Sequence, residues 1–577
     1  MNIQFLTSAH NSLSQRLLIE LSGRGHTVTV CLATSAEVMI QAVAQHAPDL
    51  IVAPMLRAAI PEAVWRQHRC LIVHPGIKGD RGPSSLDWAL SNNEETWGVT
   101  VMEAVAEMDA GPIWAAQEFP LDNKAITKSS LYRQDVTEAA VRAVLEAVAK
   151  LESHDGRPEP LDYSKPEVRG CLRPPLRQPD RAIDWSQDTT AQIARKIRAA
   201  DSDPGVLDSL FGKPYFLYGA HEEDCLRGKA GEILAQRHGA ICRGTVDGAI
   251  WITHLKAKDH GPLAGLKLPA MQVLGKYFDT PDSPVSITAS VEYRTFREIR
   301  YVERDQVGYL SFDFYNGAMS TEQCYRLRDA FLFARARPTK AIVLTGGQDF
   351  WSNGIHLNGI EAAADPAAES WRNINAIDDL IYEILNTMSH LVIAGLRGNA
   401  GAGGAMLALA ADYVYARNGV VLNPHYQGMG NLYGSEYWTY TLPRRVGPAK
   451  AHELTEGCKP IGAQGAKEIG FVDDVFGENI EEFEQQLAQR ATEIAHHPHV
   501  WRMLREKHEK RLAGECIKPL ARYRAEELKN MRVNFFGPDP AYHEARQRFV
   551  YKGKPIPRVA EPVESKFRLL KVVGVGA

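Results

Sequence analysis

Two side chains in the first part of the chain have types and positions suited to moving a proton. His74 follows the apolar run Cys70–Val73, and Asp109 begins the sequence Asp-Ala-Gly-Pro further along. Taken alone, a histidine at a strand end is more often structural, and an aspartate before Ala-Gly-Pro more often belongs to a turn. A carboxylate beside an imidazole, however, fixes its tautomer and stabilises its cation, which suits acid–base catalysis. The combination therefore indicates a candidate proton-transfer site.

A cluster of glycines in the second half of the chain indicates a site for an anion or a polarised carbonyl. The segment 390–412 runs from an apolar strand through Gly398, Gly401, Gly403 and Gly404 into an apolar helix. Backbone N–H groups at such a helix start can point at an anion or at a carbonyl oxygen. Close packing of these glycines is the alternative, and the residues alone leave both open.

Alternating strand and helix patterns must position the first pair. In residues 1–150, short apolar runs alternate with helical patterns, which predicts a mostly parallel α/β sheet with ligands at the carboxyl ends of its strands. His74 would lie at such an end. A proline-rich stretch at 152–180 predicts a linker, and a capped helix is expected within 184–201. Short strand-like pieces then predict a small β-rich domain.

The expected fold class is therefore a multidomain α/β protein. A second α/β pattern begins near residue 286 and ends in a helix-rich region, followed by a tail that contains several prolines. We predict a first α/β catalytic domain at 1–170, a β-rich domain at 171–280, a second α/β domain with a helical end at 286–540, and an extended tail at 541–577.

The composition is ordinary for a globular protein and excludes several classes. Of 577 residues, 45% are hydrophobic and 24% are charged, with a formal net charge of −4. These values argue against disordered and collagen-like chains, and the even charge balance predicts neither nucleic acid nor an anionic membrane as a partner. The 8 scattered cysteines contain no C-x-x-C pair, which predicts a reducing cytoplasm and no metal site. No signal peptide is expected.

Residues 1–270 resemble the folate-dependent formyltransferases, which transfer the formyl group of 10-formyltetrahydrofolate. The matching motifs are His74-Pro75, Arg81-Gly82 before Trp88-Ala89, Gly98-Val-Thr, Asp109-Ala-Gly-Pro-Ile, Asp184-Trp185, and Ile197-Arg-Ala with Pro204-Gly205. The resemblance implies that His74 is the general acid and base and that Asp109 is its orienting carboxylate. The family has an asparagine two residues before its histidine, where this chain has Ile72. An oxyanion donor is therefore missing, and a thiol would be an acceptor that tolerates the loss.

Residues 286–540 resemble the crotonase (enoyl-CoA hydratase/isomerase) family. The match depends on the segments 341–357 and 390–412, which occur in the family's order. It implies that the amides of Ile355 and Gly403 form an oxyanion hole for the thioester of an acyl-CoA. It also implies that Asn316 lies near the adenine pocket.

The two glutamates that hydratases of this family use are absent from the chain. Met406 occupies the first position, and the second falls at or next to Pro424-His425. Hydration of an enoyl-CoA is therefore not expected, and Met406 is interpreted as an apolar wall. Tyr426 and Glu436, in the loop that follows, could replace the lost pair as proton donor and base. A structural role for Tyr426 and a solvated Glu436 are alternatives of about equal weight to these catalytic roles.

The order of the two parts resembles a family of [NiFe]-hydrogenase maturation factors. Formyl transfer to CoA, followed by binding of the thioester, suggests formyl-CoA as an intermediate that releases CO when the formyl hydrogen leaves as a proton. The resemblance implies 10-formyltetrahydrofolate and CoA as small-molecule substrates, and hydrogenase maturation proteins as possible partners. CoA would then bridge both domains. The candidate phosphate contacts, each of which has a plain surface role as its alternative, are Gln15, Arg133, Ser202 and Arg568.

Two other functions remain open at this point. A formyltransferase fused to an acyl-CoA hydrolase or isomerase could act on separate substrates, although the residues at 72 and 406 weaken that reading. A non-catalytic scaffold would bind folate or CoA without turnover. Whether consumption of formyltetrahydrofolate depends on CoA separates these functions from CO production.

Overall fold

The structure is a computed structural model that describes residues 1–122, 124–153, 156–259, 261, 263–275 and 280–552. Its helices and strands form an α/β domain, a β-rich domain and a second α/β domain, in that order along the chain. Within these ranges, no helix is both long and apolar enough to cross a membrane. The same ranges contain no group of three His, Cys, Asp or Glu side chains that could hold a metal ion.

The first domain is built on one sheet. Its strands are β1 (Asn2–Thr7), β2 (Thr27–Leu32), β3 (Leu50–Ala53), β4 (Cys70–His74), β5 (Thr96–Glu103) and β6 (Ile113–Pro120). Its helices are α1 (Ser12–Gly23), α2 (Ala36–His46), α3 (Glu62–Trp65), α4 (Ser85–Ser91), α5 (Lys128–Leu131) and α6 (Thr137–Glu152). The order is β2-β1-β3-β4-β5-β6, in which the first four strands run parallel and the last two pair antiparallel. The expected mostly parallel sheet is confirmed.

This sheet brings the two predicted residues of the first site to one region. His74 is the last residue of β4, and the loop after it leads into α4. Asp109 lies in the turn between β5 and β6 with φ of 54°, in the left-handed region that aspartate tolerates better than most residues. Apolar side chains of the strands pack against α1 and α6 and hold both loops in place.

The middle domain is an antiparallel sheet with a helix on one side. It contains α7 (Thr190–Ala199), β7 (Val206–Leu210), β8 (Lys213–Glu223), β9 (Ile233–Arg237), β10 (Ala240–Gly244), β11 (Ala249–Ala257), β12 (Lys267–Pro269) and α8 (Ala270–Leu274). The order is β7-β8-β11-β10-β9, with β12 paired to β11. The helix is shorter than predicted because Asp184 accepts the N–H of Ser186 at 2.9 Å and so forms a turn instead.

The third domain consists of two sheets and a set of helices. Its strands are β13 (Ile299–Arg304), β14 (Val307–Phe312), β15 (Ala341–Thr345), β16 (Phe350–Ser352), β17 (Leu391–Leu396), β18 (Asn399–Gly401), β19 (Tyr413–Arg417), β20 (Val421–Asn423), β21 (Ile461–Gly462) and β22 (Asp474–Phe476). Its helices are α9 (Thr321–Arg335), α10 (Leu357–Glu361), α11 (Pro366–Leu385), α12 (Gly403–Ala408), α13 (Trp438–Val446), α14 (Pro448–Gly457), α15 (Ala463–Glu468), α16 (Ile480–Ala495), α17 (Val500–Ile517), α18 (Leu520–Phe536) and α19 (Ala541–Val550). The sheets run β13-β14-β15-β17-β19-β22 and β16-β18-β20-β21.

The tail that was predicted to be extended from residue 541 begins with a helix. In α19, Tyr542 is buried and packs against Phe535 with the two rings tilted, and Arg546 Nε lies 2.8 Å from Glu361 Oε2. The neighbouring Pro540 caps the start of this helix, where a missing N–H has no cost. The prediction of an extended chain is therefore wrong for 541–550, while 553–577, including Arg568, lies outside the described residues.

Candidate active sites

The first site is centred on His74, which is buried at the end of β4. Its Nε2 lies 2.9 Å from Oδ2 of Asp80, and its Nδ1 lies 3.8 Å from Oδ1 of Asp109. The structure thus brings the predicted pair together, but the carboxylate within hydrogen-bond distance of the imidazole is Asp80. An imidazole whose N–H is held by a carboxylate presents its other nitrogen as an acceptor, which is the state that a general base needs.

Asp80 is a site residue that the sequence analysis missed. It is fully buried in the loop after β4, and its Oδ1 lies 3.8 Å from Nε of Arg173. Gly76 leaves the space for this arrangement, because a Cβ at this position would lie 2.6 Å from Nε2 of His74. The sequence signal for Asp80 is an aspartate six residues after a histidine at a strand end. The sequence alone does not show which carboxylate the loop brings against the imidazole.

The segment around Arg173 holds the loop of the first site in place. The Arg81 N–H donates to the Cys171 carbonyl at 3.1 Å, and the Arg173 N–H donates to the Arg81 carbonyl at 2.9 Å. The Arg173 guanidinium lies over the Trp97 ring, 5.3 Å from its centroid. This segment was predicted to be a linker, but its contacts show that it is a structural part of the site.

Asp109 and Ile72 complete the surroundings of the imidazole. Asp109 Oδ2 accepts the N–H of Gly82 at 3.3 Å, which ties the loop after β4 to the turn after β5. Ile72 lies on the same face of β4 as His74, because side chains alternate along a strand. It is half-buried and packs with an apolar cluster, so this position supplies no amide donor.

The second site is formed where the loops that contain Ile355 and Gly403 meet. Gly403 is the first residue of α12, so its N–H has no acceptor within the helix. A Cβ on Gly354, the residue before Ile355, would lie 3.2 Å from the amide nitrogen of Gly403. The two backbone segments are therefore close enough for their N–H groups to bind one carbonyl oxygen, as an oxyanion hole requires.

Glu436 and Tyr426 lie directly beside this pair of loops. A Cβ on Gly403 would collide with Oε1 of Glu436, so the carboxyl reaches the start of α12 and a side chain at this position would displace it. The Tyr426 hydroxyl donates to Glu436 Oε2 at 2.9 Å. Glu436 is 1% exposed, which excludes the solvated alternative. Met406 is fully buried in the apolar core, consistent with a wall rather than a catalytic group.

The electrostatic environment makes Glu436 unusually basic. Burial raises the pKa of Glu436 to about 8, with a further rise from Asp378, while hydrogen bonds from Tyr426 and from the Ser435 N–H oppose the shift. Burial, together with Glu436, raises the pKa of Tyr426 well above its usual value, so its hydroxyl remains a donor. Burial also lowers the pKa of His425, which leaves a neutral imidazole at the family's second glutamate position. This arrangement can accept a proton from a bound thioester.

Gln15 joins the first domain to the segment that precedes α12. It lies in the first turn of α1, and its Oε1 accepts from Asn423 Nδ2 at 3.0 Å. The Asn423 carbonyl in turn accepts the N–H of Ala402 at 2.9 Å, one residue before Gly403. This predicted CoA contact therefore lies next to the second site.

Arg133 lies at a second junction between the first and third domains. It belongs to a π-helical turn, Tyr132–Val136, that connects α5 to α6. Its Nη1 lies 2.7 Å from Asp349 Oδ2, which also accepts from the Ser130 hydroxyl at 3.0 Å. The guanidinium stacks over Phe350 at 4.7 Å. Its cation is therefore already paired across the domain boundary.

Ser202 and Asn316 lie where all three domains meet. The Ser202 carbonyl accepts from Lys267 Nζ at 3.0 Å, and Lys267 also donates to the Tyr315 hydroxyl at 3.1 Å. Tyr315 precedes Asn316, whose carbonyl accepts from Asn353 Nδ2 at 2.8 Å. Burial lowers the pKa of Lys267 to about 8. The structure thus groups these two candidates, while Arg568 lies outside the described residues.

Comparison with known proteins matches each part of the chain to a family. Residues 31–148 match formyl transferases, residues 175–268 match the formyl transferase C-terminal domain, and residues 313–556 match the enoyl-CoA hydratase/isomerase family. The chain is 30% identical over 213 residues to methionyl-tRNA formyltransferase of Thermotoga neapolitana, covering 36% of this chain and 66% of that protein. The fold and the family matches therefore define a formyltransferase-type region joined to a crotonase-type domain.

Two relatives match almost the whole chain. Hydrogenase maturation factor HoxX of Bradyrhizobium diazoefficiens is 47% identical over 567 residues, covering 98% of this chain and 96% of that protein. The crystal structure of HypX from Aquifex aeolicus in complex with tetrahydrofolic acid gives a TM-score of 0.92 at 47% identity, covering 96% of this chain and 96% of that chain. The chain belongs to the HoxX (HypX) family of hydrogenase maturation factors. This membership confirms both resemblances and the multidomain α/β fold.

Proposed function

We propose that this protein makes carbon monoxide from the formyl group of 10-formyltetrahydrofolate, with formyl-CoA as the intermediate, and supplies it as the CO ligand of [NiFe]-hydrogenase. The observation that carries the proposal is that one chain holds a buried His74–Asp80 pair and a buried Tyr426–Glu436 pair, each a proton-transfer site of a different chemistry. The complex of HypX with tetrahydrofolic acid supports a folate at the first site. The description of the relative HoxX as a hydrogenase maturation factor supports the hydrogenase as the acceptor of the CO.

In the first step, His74 acts as the base and then as the acid. Its free ring nitrogen takes the proton of the CoA thiol while the sulfur attacks the formyl carbon and the C–S bond forms. The same proton then passes to N10 of the folate as the C–N bond breaks, which gives formyl-CoA and tetrahydrofolate. A thiol, with a pKa near 8.5, ionises far more readily than an amine acceptor. The step therefore suits a site in which Ile72 stands at the asparagine position.

In the second step, the amides of Ile355 and Gly403 bind the formyl oxygen, and Glu436 removes the formyl hydrogen as a proton. The electron pair of the C–H bond stays on carbon, and the C–S bond breaks with its pair on sulfur, so CO leaves. Glu436 then passes the proton to the thiolate, and CoA departs as the thiol with no net proton change. Tyr426 donates a hydrogen bond to the formyl group or to the departing sulfur. Formyl-CoA has no α-carbon, so no enolate can form and the proton that leaves is the formyl hydrogen itself.

CoA must serve both sites, and the domain junctions offer positions where it could bind. Gln15 is connected to the loop before Gly403 by two successive hydrogen bonds, through Asn423. Arg133, Ser202 and Asn316 lie where domains meet, and they are the remaining candidates among the described residues. A carrier held at these junctions would receive the formyl group at one site and present it at the other.

We also assign the reaction to the cytoplasm and its product to hydrogenase maturation proteins. All of the cysteines, at positions 31, 70, 171, 225, 242, 324, 458 and 516, are free thiols. Free thiols persist where the compartment is reducing.

Headspace CO measured with purified protein and 10-formyltetrahydrofolate tests the proposal. CO should appear only when CoA is present, and formyl-CoA added directly should give CO without folate. Formate or a formylated amine without CO would favour a transferase and a hydrolase that act on separate substrates. Binding of folate and CoA without any turnover would favour the scaffold.

A further inference from the structure

The turn that carries Glu436 is held by two fully buried acids on two different helices. Asp378 lies within α11 and Glu527 within α18, and both are 0% exposed. The N–H of Glu436 donates to Asp378 Oδ1 at 2.9 Å, and the N–H of Tyr437 donates to Glu527 Oε2 at 3.0 Å. The Ser435 hydroxyl lies 2.8 Å from Asp378 Oδ2 and 3.3 Å from Glu527 Oε2. Successive residues of one turn are therefore bound by two acids.

The backbone of this turn needs such support. Glu436 and Tyr437 have φ of 60° and 55°, in the left-handed region that residues with a side chain seldom adopt. Consecutive residues of this kind persist only where the surroundings impose the conformation, and they are often found at functional sites. Here the conformation brings the Glu436 carboxyl against Gly403 and under the Tyr426 hydroxyl. The two acids thus determine where the candidate base lies.

The acids around the turn also affect the proton affinity of Glu436, because they raise its pKa beyond the effect of burial. The titratable groups that face Glu436 are Asp378 on α11, Glu527 on α18, Cys324 on α9, and Tyr426 and Tyr437 near it in the chain. Arg524 on α18 and Asp379 on α11 lie behind Asp378, and the Arg524 guanidinium lies 3.7 Å from Asp378 and 2.7 Å from Asp379. Burial, and then Asp378, raise the pKa of Glu527 to about 8, as they do for Glu436. Burial raises the pKa of Asp378 only to about 6, because Arg524 opposes the shift. Asp378 is therefore the acid that is charged at neutral pH.

We propose that Asp378 and Glu527 are positioning residues for the decarbonylation step: together they fix the turn that presents Glu436, and Asp378 holds a negative charge beside the base. The inference rests on the proposed function, because Glu436 needs a formyl proton to remove. A formyl C–H is a weak acid, and a base of higher proton affinity takes its proton more readily. A solvated carboxylate, or one paired with an arginine, would be a weaker base.

The pH dependence of CO release from added formyl-CoA tests this inference. Glu436 can accept a proton only when it is ionised, so release by the wild type should rise with pH and reach half its maximum near pH 8. Asp378→Asn keeps an oxygen that can accept the Glu436 N–H but removes the charge. Its half-point should therefore move to lower pH by about one unit. The plateau rate should fall because the base is weaker, but by less than the roughly 10²–10⁴-fold loss typical of removing a base.

A neighbouring residue provides the matched control. Asp379→Asn removes the same charge one position along α11, where the side chain is 33% exposed and pairs with Arg524 instead of binding the turn. Its half-point should stay close to that of the wild type. Glu527→Gln replaces an acid that is mostly protonated below pH 8, so its half-point should move less than that of Asp378→Asn. CoA-dependent consumption of 10-formyltetrahydrofolate at the first site should be unchanged in each variant and reports folding.

The outcomes separate this inference from the function on which it rests. An unmoved half-point in Asp378→Asn, or an equal shift in Asp379→Asn, overturns the role of Asp378. A wild-type half-point near the ordinary glutamate value of about 4.3 overturns it without any variant, even if Asp378→Asn fails to fold. If the wild type releases no CO from formyl-CoA at any pH, the proposed function itself has failed.

Discussion

The two candidate sites both place a base beside a buried acid, but the base is an imidazole at the first site and a carboxyl group at the second. At the first site, Asp80 lies between the His74 imidazole and the Arg173 guanidinium, so its charge has a cation within 3.8 Å. At the second, Glu436 is deeply buried and faces Asp378, another acid. The difference matches the two proposed reactions. A thiol gives up its proton near pH 8.5, for which an imidazole suffices, whereas a formyl C–H requires a stronger base.

The largest effect that we expect is from His74→Ala, which should abolish consumption of 10-formyltetrahydrofolate. The imidazole carries the transferred proton in both halves of the first step, so its removal leaves the thiol without its base and N10 of the folate without its acid. The variant should still release CO from formyl-CoA, because the second site is intact. Rates are measured as CoA-dependent loss of the formylated folate. A wild-type rate would remove His74 from the mechanism.

The two carboxylates around His74 sharpen this test. The sequence predicted that Asp109 orients the ring, and Asp109→Asn should then cost several orders of magnitude, by analogy with other carboxylates that orient a catalytic histidine. The structure places Asp80 at 2.9 Å and Asp109 at 3.8 Å from the ring nitrogens. If Asp80 holds the tautomer, Asp80→Asn should cost more than Asp109→Asn. The reverse order would return the orienting role to Asp109.

At the second site, Glu436→Gln and Tyr426→Phe should stop CO release while formylation of CoA continues. Loss of a positioned acid or base typically costs about 10²–10⁴ in rate, so formyl-CoA should accumulate to amounts that chromatography detects. Both substitutions keep the size of the side chain, and the first site is untouched. Continued CO release from both variants would give Tyr426 and Glu436 a structural role and would leave the comparison between the two sites without its second member.

Much of the fold and part of each site could be predicted from the sequence. The strand-to-helix alternation and the glycine cluster are local patterns, and they placed His74 at a strand end and Gly403 at a helix start. The acids that support each base could not be found in this way. Asp378 lies on a helix far from Glu436 along the chain, and its side chain is identified as a partner only when α11 packs against the turn. The sequence does not show which acids become buried, because their burial depends on how the helices pack in the folded protein.

The same limit applies to the contacts between domains. Arg133 was predicted from its charge as a CoA phosphate contact, but the sequence could not show that Asp349 would lie 2.7 Å from it. Two buried or half-buried ions approach across a domain boundary only because the folded domains bring them together. Two roles are consistent with this ion pair: Asp349 competes with the CoA phosphates for Arg133, or the pair only stabilises the contact between the two domains.

The smallest expected effect concerns that link between the two sites. If CoA phosphates bind Arg133, they must displace Asp349, since both need the same guanidinium. Arg133→Ala should then raise the KM for CoA by about tenfold, the scale of one hydrogen bond to a charged group. Asp349→Asn should lower the KM by a few fold, because the arginine is no longer held by a competing carboxylate. The kcat of formyl-CoA decarbonylation serves as the control for intact domains. If the ion pair only stabilises the domain contact, Arg133→Ala and Asp349→Asn should change the KM for CoA in the same direction, because each variant breaks the same contact. Opposite signs therefore place Arg133 on the path of CoA between the sites, and equal signs remove it.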